Sequence, residues 1–305
     1  MATENRIGNG KEFFPLADLA HLNSVVAVHE SPRVSQKYKF YSTLQVVEAL
    51  AAEGWLPVLA REQLTRTIGG QGYQKHCIRL RQVNAPPASL DDILAEIVLT
   101  NAHNGLSKYN LFAALMRLAC WNGLIVSQAV FGAISFKHIG FQVNDVIAAS
   151  KAITEGLPQI ASRVREYQQI ALNSAEQYDF ATKALALRFD SPAIEDRGLI
   201  KVKDRSFSTM ELLNPVREDD AAPSLWNTFN IIQEKVTKGA RFERTTRYAG
   251  SYVDSNGDVN QRLITRNKVK GIQAINTDIK FNRSLWALME NERVRRAQAL
   301  VPVNA

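Results

Sequence analysis

Residues 73–82, YQKHCIRLRQ, alternate with a period of two. His76, Ile78 and Leu80 fall on one face of an extended chain, and Lys75, Cys77, Arg79 and Arg81 fall on the other. A segment with one apolar face must pair into a sheet and turn that face to a core, and this fixes its register. The stretch before it supplies a partner. WLPVLAREQLTRT reads as a strand with Pro57 near its start, and the Gly-rich IGGQGY between the two predicts an antiparallel pairing. AEIVLTNAH predicts a third strand, buried and central because its apolar run is continuous.

The flanking segments carry helix signals. KYKFYS, residues 37–42, alternates and predicts a strand. Ser42 then caps a helix over TLQVVEALAAEG, with Gln45 at the capping-box position and Gly54 as the stop. HNGLS predicts a turn, and Ser107 a cap for KYNLFAALMRLACWNG, read as a buried helix apolar nearly all round and stopped by Gly123. LIVSQAVFGAISFKH reads as strands and VNDVIAASKAITEG as a helix. Residues 158–189 keep helical periodicity with a break at Leu172-Asn173-Ser174, where Ser174 and Gln177 form a second capping-box pattern. A helix over SLWNTFNIIQEKVTKG, a long loop and a closing helix over NRSLWALMENERVRRAQAL follow.

These elements predict an α+β fold: an antiparallel sheet with helices packed on one side, then a helical C-terminal region carrying a basic hairpin or loop. The expected division is an N-terminal extension (1–30), an α+β core (31–156), a helical segment (157–190), a linker holding Pro192, Pro215 and Pro223 (191–224) and a basic helical region (225–305). With 305 residues, 46% hydrophobic and 22% charged, the chain can bury a core and is not of disordered composition. Its two cysteines, Cys77 and Cys120, exclude a disulfide framework and suit a reducing cytoplasm. Neither a signal peptide nor a continuous membrane-spanning run is legible, so the expected setting is cytoplasmic, without a membrane partner.

The formal charge is +7. From Lys235 to Lys270 the cations are Lys235, Lys238, Arg241, Arg244, Arg247, Arg262, Arg266, Lys268 and Lys270; the anions are Glu243, Asp254 and Asp258. Nine minus three leaves +6 in this one segment. Tyr248 and Tyr252 sit among the charges, and Asn256-Gly257 is a hairpin turn signal. Cations that track phosphates beside rings that stack on bases fit single-strand binding; the alternative is a solvated hairpin kept soluble by charge. The opening strand extends the same reading. Alternate residues repeat at about 6.6 Å, so Lys75, Arg79 and Arg81, helped by Arg61 and Arg66, could follow a phosphate backbone. The alternative is cross-strand ion pairing, but Glu62 and Glu96 are the only nearby acids, so several cations of the row are expected to stay unpaired.

Signals for other chemistry are weak. TNAHNGLSKY gathers Asn101, His103, Asn104 and Ser107 into a polar site able to hold a catalytic histidine or a phosphate, or to serve as turn and cap. Cys120 reads as a core residue. His76 and His138 have no acids at metal-ligand spacing, Asp91, Asp92, Asp219 and Asp220 form loop pairs without a two-metal pattern, and IGGQG lacks the Lys-Ser/Thr of a phosphate loop. No catalytic signature, metal or cofactor is expected.

KYKFYSTLQVVEALAAEGWLPVLA, KHCIRLR, EIVLTNAHNGLSKYNLFAALMRLACWNGLIV, LWNTFNIIQEKVTKG and VKGIQAINTDIKFNRSLWALME together resemble the YfjQ/YafZ/YubP-like proteins of plasmids and prophages, domain of unknown function 932. The resemblance covers residues 30–190 and 224–292 and implies a mobile-element protein working inside a bacterium. FERTTRYAGSYVDSNGDVNQ stands where that family leads one to expect a shorter Gly- and basic-rich loop. The order helix, strand, turn, strand, loop, strand, buried helix is also similar to the core of single-strand annealing proteins, which implies ring-forming homo-oligomers that lay single-stranded DNA in a basic groove. The expected function is single-stranded DNA binding or strand annealing in recombination. A host protein partner in an anti-defence role, and an enzyme built on Asn101, His103 and Ser107, are the alternatives.

Overall fold

A computed structural model describes residues 4–66, 68–83, 93–117, 122–125, 134–136, 142–189, 193–195, 199–202, 205–244, 251–253, 256, 259–261 and 265–299, with backbone alone for most of the short strands beyond residue 118. The chain divides into two units, residues 1–163 with 273–283 and residues 164–272 with 284–305.

The first unit is built on an antiparallel sheet of seven strands: β1 (Glu4–Ile7), β2 (Trp55–Gln63), β3 (His76–Gln82), β4 (Ile93–Asn101), β5 (Tyr109–Arg117), β6 (Asn122–Ile125) and β7 (Ile134–Phe136). They lie in sequence order from β1 to β6, and β7 also pairs with β5. Helix α1 (Thr43–Ala52) starts where Ser42 Oγ accepts the Gln45 N–H, and it ends before Gly54, whose φ of 87° suits a residue without a side chain.

Alternation along paired strands sends Ile78, Leu80, Ile97, Leu99 and Leu111 to one face. There they meet Leu19, Leu22, α1 through Val46, Val47 and Leu50, and the start of helix α2 (Val143–Gln169) through Val146 and Ile153. The other face is covered too. Cys77, Val98, Phe112 and Ala114 pack against Ile275 and Ile279, the first turns of helix α6 (Ile275–Ala299). The Arg283 guanidinium lies 5.8 Å from the Phe112 ring centre. Burial of the Cys77 thiol in this layer pushes its pKa up.

Sequence expectations change at several points. KYKFYS forms no strand. KYNLFAALMR forms β5 in place of a helix. Tyr109, Leu111 and Ala113 face one layer and Phe112 and Ala114 the other, and a strand buried on both faces carries the same unbroken apolar run as a buried helix. Residues 191–224, expected to be a linker, hold three paired strands, β8 (Ala193–Glu195), β9 (Leu199–Val202) and β10 (Arg205–Ser208), with a short helix, α4 (Thr209–Leu213).

In the second unit the expected helix break is present between α2 and α3 (Ser174–Arg188). The cap lies one residue earlier than the pattern suggested: Asn173 Oδ1 accepts the Glu176 N–H at 3.0 Å, and the Glu176 carboxylate accepts the Asn173 N–H at 2.8 Å. Helix α5 (Leu225–Lys238) is capped by Ser224. Its Phe229 meets Trp286 edge-on at 6.5 Å, and Trp286 meets Tyr167 edge-on at 5.5 Å, an aromatic node at the centre of this unit. The expected long loop after α5 is two antiparallel pairs, β11 (Gly239–Arg244) with β14 (Thr265–Lys270) and β12 (Ser251–Val253) with β13 (Val259–Gln261). Asn256 lies in the turn of the inner pair, as its hairpin signal implied.

Ile97 is wholly buried between β3 and β5. Ile97→Ala is expected to lower the unfolding free energy by about 2–5 kcal/mol, measured by denaturant titration with an unchanged slope. A loss below about 1 kcal/mol would contradict a close-packed core at this position.

Candidate nucleic-acid interface

The cationic row of β3 lies on the face that α6 helps to cover. The register sets Cys77 between Arg61 and Thr100, and Arg81 between Leu56 and Glu96. The Glu96 carboxylate is wholly buried, and two guanidinium groups share it. Arg79 Nε donates to Oε2 at 2.6 Å, and Arg81 Nη2 donates to Oε1 at 2.6 Å. Arg81 also donates to the carbonyls of Gly10 (2.8 Å) and Lys11 (2.9 Å), so the N-terminal segment closes over it. Arg61 pairs with Asp278 at 2.5 Å and with Glu4 at 3.6 Å. Lys75 Nζ donates to Asn276 Oδ1, and burial lowers its pKa.

Arg61, Lys75, Arg79 and Arg81 are therefore engaged inside the first unit. This corrects the expectation that several cations of the row stay unpaired. The reason is strand phase. Glu96 shares the face of the arginines, whereas Glu62 points the other way, opposite His76, and accepts from Ser24 N (2.9 Å), Ser24 Oγ (2.7 Å) and Asn5 Nδ2 (2.9 Å). Arg66 stands apart from the row, exposed in the β2–β3 connection.

The polar residues after β4 part into two groups. Asn104 Oδ1 accepts the Leu106 N–H and Ser107 Oγ donates to the Lys108 carbonyl, so both do turn work. Asn101 and His103 are wholly buried, together with Thr43 and His76, which sequence reasoning did not join to them. Thr43 Oγ1 lies 2.8 Å from His76 Nε2, 3.4 Å from His103 Nε2 and 3.2 Å from the Asn101 Nδ2 donor.

Donor counting fixes the ring proton of His76. His76 Nδ1 meets the Gln74 carbonyl at 3.3 Å and must donate to it, so His76 Nε2 accepts the Thr43 hydroxyl proton. Asn101 Nδ2–H then donates to a lone pair of Thr43 Oγ1, and His103 Nε2 and the Tyr109 hydroxyl approach the same oxygen. Burial, followed by the neighbouring His103, lowers the His76 pKa to about 3. The signal for this node was present in the sequence: His76 occupies the core-facing phase of β3, and Thr43 opens α1. Ser107 is not part of it, so the structure does not assemble an Asn101, His103 and Ser107 site. Among the described residues no group of three His, Cys, Asp or Glu side chains is arranged to hold a metal.

The second unit carries the remaining predicted cations. Lys235 Nζ donates to the carbonyls of Glu211 and Asn214, and burial lowers its pKa to about 8. Lys238 pairs with Glu234 at 3.0 Å. In the β11–β14 ribbon Arg241 is opposite Lys268, Glu243 opposite Arg266 and Gly239 opposite Lys270. Arg244 holds the alternate register, and Tyr252 is opposite Asn260 in the inner pair. Arg247, Tyr248 and Arg262 lie outside the described residues. The ribbon base is fixed by Gly271, where an added Cβ would sit 2.6 Å from the carbonyls of Thr237 and Lys238, while the Ile272 N–H donates to Thr237 O at 2.8 Å.

Residues 30–286 match the family described as "Domain of unknown function (DUF932)". The chain is similar to the UPF0380 protein YafZ of Escherichia coli K12, with 27% identity over 86% of this chain and 84% of the relative. It is similar to the UPF0380 protein YfjQ of the same organism, with 26% identity over the same shares. No solved structure matches the chain. Among the described residues no helix is long and apolar enough to cross a membrane.

Glu96→Gln leaves two buried guanidiniums on a neutral amide, and is expected to cost about 3–5 kcal/mol of stability. A urea titration checks this, and an unaltered midpoint would mean that the arginines are solvated. His76 is expected to keep its Nδ1–H tautomer from neutral pH to roughly pH 5, observed in ring nitrogen chemical shifts. The unfolded chain takes up this proton below its ordinary pKa near 6.5 and the folded one only near 3. Its contribution to stability is therefore lost progressively as pH falls between those values. A ring titrating near 6.5 in the folded protein would exclude the assigned chain of hydrogen bonds.

Proposed function

The chain belongs to the DUF932 family, whose description names no activity, and we propose that it binds nucleic acid, single strands in preference, through the basic ribbon of its second unit. The observation that carries this reading is the register of β11 against β14. Directly opposed residues share a side of an antiparallel ribbon, so positions 241, 266, 268 and 270 lie together with Glu243 as the one acid among them. Cations two residues apart on a strand recur at about 6.6 Å, of the order of the phosphate spacing of an extended strand. Tyr252, on the adjoining hairpin, supplies a ring for stacking. Contacts of this kind grip the backbone and leave base edges free to pair, which suits strand handling in the recombination of a mobile element. The cations of β3 take no part; they hold the first unit together.

Binding of a labelled oligonucleotide titrated against salt tests the reading. Affinity is expected to fall steeply with salt and to depend little on base sequence. Arg241→Glu with Lys268→Glu should weaken binding at least tenfold and reduce the logarithmic salt slope by roughly 1.4, the share of two phosphates on a single strand. Arg79→Ala with Arg81→Ala should lower the melting temperature and leave that slope alone. A reduced slope in a folded Arg79/Arg81 variant would move the interface to β3, and no binding at low salt would end the proposal.

A further inference from the structure

Three connections close one end of the first unit's sheet: residues 28–40, the β2–β3 connection and the β4–β5 connection. Side-chain and backbone bonds knit them together. Arg33 Nη2 donates to the Ile68 carbonyl at 3.1 Å, and Ser31 N donates to the His103 carbonyl at 2.9 Å. His103 N donates to the Tyr73 carbonyl at 3.1 Å, Tyr38 Oη donates to the Ala102 carbonyl at 3.3 Å, and the Tyr73 hydroxyl meets His29 Nδ1 at 3.1 Å.

Each connection presents one aliphatic side chain almost entirely to solvent: Val28 at 83%, Ile68 at 91% and Leu106 at 88%. Around them stand the exposed cations Arg33, Lys37, Lys39, Arg66 and Lys108, with Glu30 as the one acid in the described parts of the three segments. Five minus one leaves +4. None of the five cations forms an ion pair with a carboxylate among the described residues, in contrast to the row on β3.

We propose that this surface docks on an anionic phospholipid bilayer, with Val28, Ile68 and Leu106 entering the acyl boundary and the five cations lying at the headgroups. Charge complementarity alone would serve any polyanion; the apolar tips decide between them. A single-stranded nucleic acid gains from flat rings that stack on bases, and the three nearly bare side chains at this end are aliphatic. In a bilayer each aliphatic side chain that leaves water strengthens partition about tenfold or more. Each cation beside an anionic leaflet adds roughly fivefold. A surface built from segments far apart in the chain gives no hydrophobic run, so a search for spanning segments passes over it. This docking is independent of the nucleic-acid ribbon.

Co-sedimentation of the full chain with vesicles of phosphatidylglycerol and phosphatidylcholine, against phosphatidylcholine alone, tests it. Binding is expected to the anionic vesicles only, and to weaken as salt rises. Ile68→Asp with Leu106→Asp should reduce that binding at least a hundredfold, and Arg66→Glu with Lys108→Glu at least tenfold. Both variants should keep the melting temperature and the oligonucleotide affinity of the parent. Absence of binding to anionic vesicles overturns the proposal, as does binding that survives the aspartate substitutions. So does displacement of the vesicles by an oligonucleotide whose own binding is weakened by Arg66→Glu with Lys108→Glu, which would assign the surface to nucleic acid.

Discussion

A carboxylate with no access to water holds two arginines on the second face of the main sheet. Glu96 is unlikely company for a hydrophobic strand: its neighbours along β4 include Ile97, Val98 and Leu99, and an isolated charge there would be severely disfavoured. Arg79 and Arg81 resolve this from β3, one diagonal and one directly opposite. The arrangement leaves one cation in excess, and Arg81 spends its remaining donors on the carbonyls of Gly10 and Lys11. The N-terminal segment is thus held to the sheet by a charged side chain. The same face continues through Arg61 to Asp278 and Glu4, so the start of α6 is anchored by an ion pair as well as by Ile275 and Ile279. Charge on this sheet is internal structure.

Much of the first unit was legible because its signals are local. Ser42, Gln45 and Gly54 bracket α1, and the alternation of residues 76–82 sets β3 and its core face. The run from Tyr109 to Arg117 was not legible. Periodicity separates half-buried elements, and a strand covered on both faces has none to show. The partner of the arginine row was equally hidden. Glu62 and Glu96 both lie near it in sequence terms, and only the register assigns one to the arginines and the other to Ser24 and Asn5. His76 and Thr43, 33 residues apart, meet through the packing of α1 against the sheet.

The second unit shows the complementary case. Its basic segment was conspicuous in composition, and the Asn256 turn was marked by its residue type, yet which cations share a side follows only from the pairing of β11 with β14. The concentration of charge in sequence and its availability in space are separate properties. On β3 the first is present and the second is not. On the loops around Ile68 and Leu106 the order is reversed: scattered cations with no sequence signature stand together without carboxylate partners among the described residues.

The bond between Arg61 and Asp278 spans 217 positions. On a ribosome adding about 5–20 residues each second, β2 waits roughly ten to forty seconds before Asp278, the closer of its arginine's two carboxylates, is made. Once the start of α2 is made, and until residue 278 follows, the first unit can have one layer complete and the other open, its arginines and Phe112 facing water or whatever chaperone is at hand. Completion of the first unit therefore waits for residue 278, however early its strands emerge.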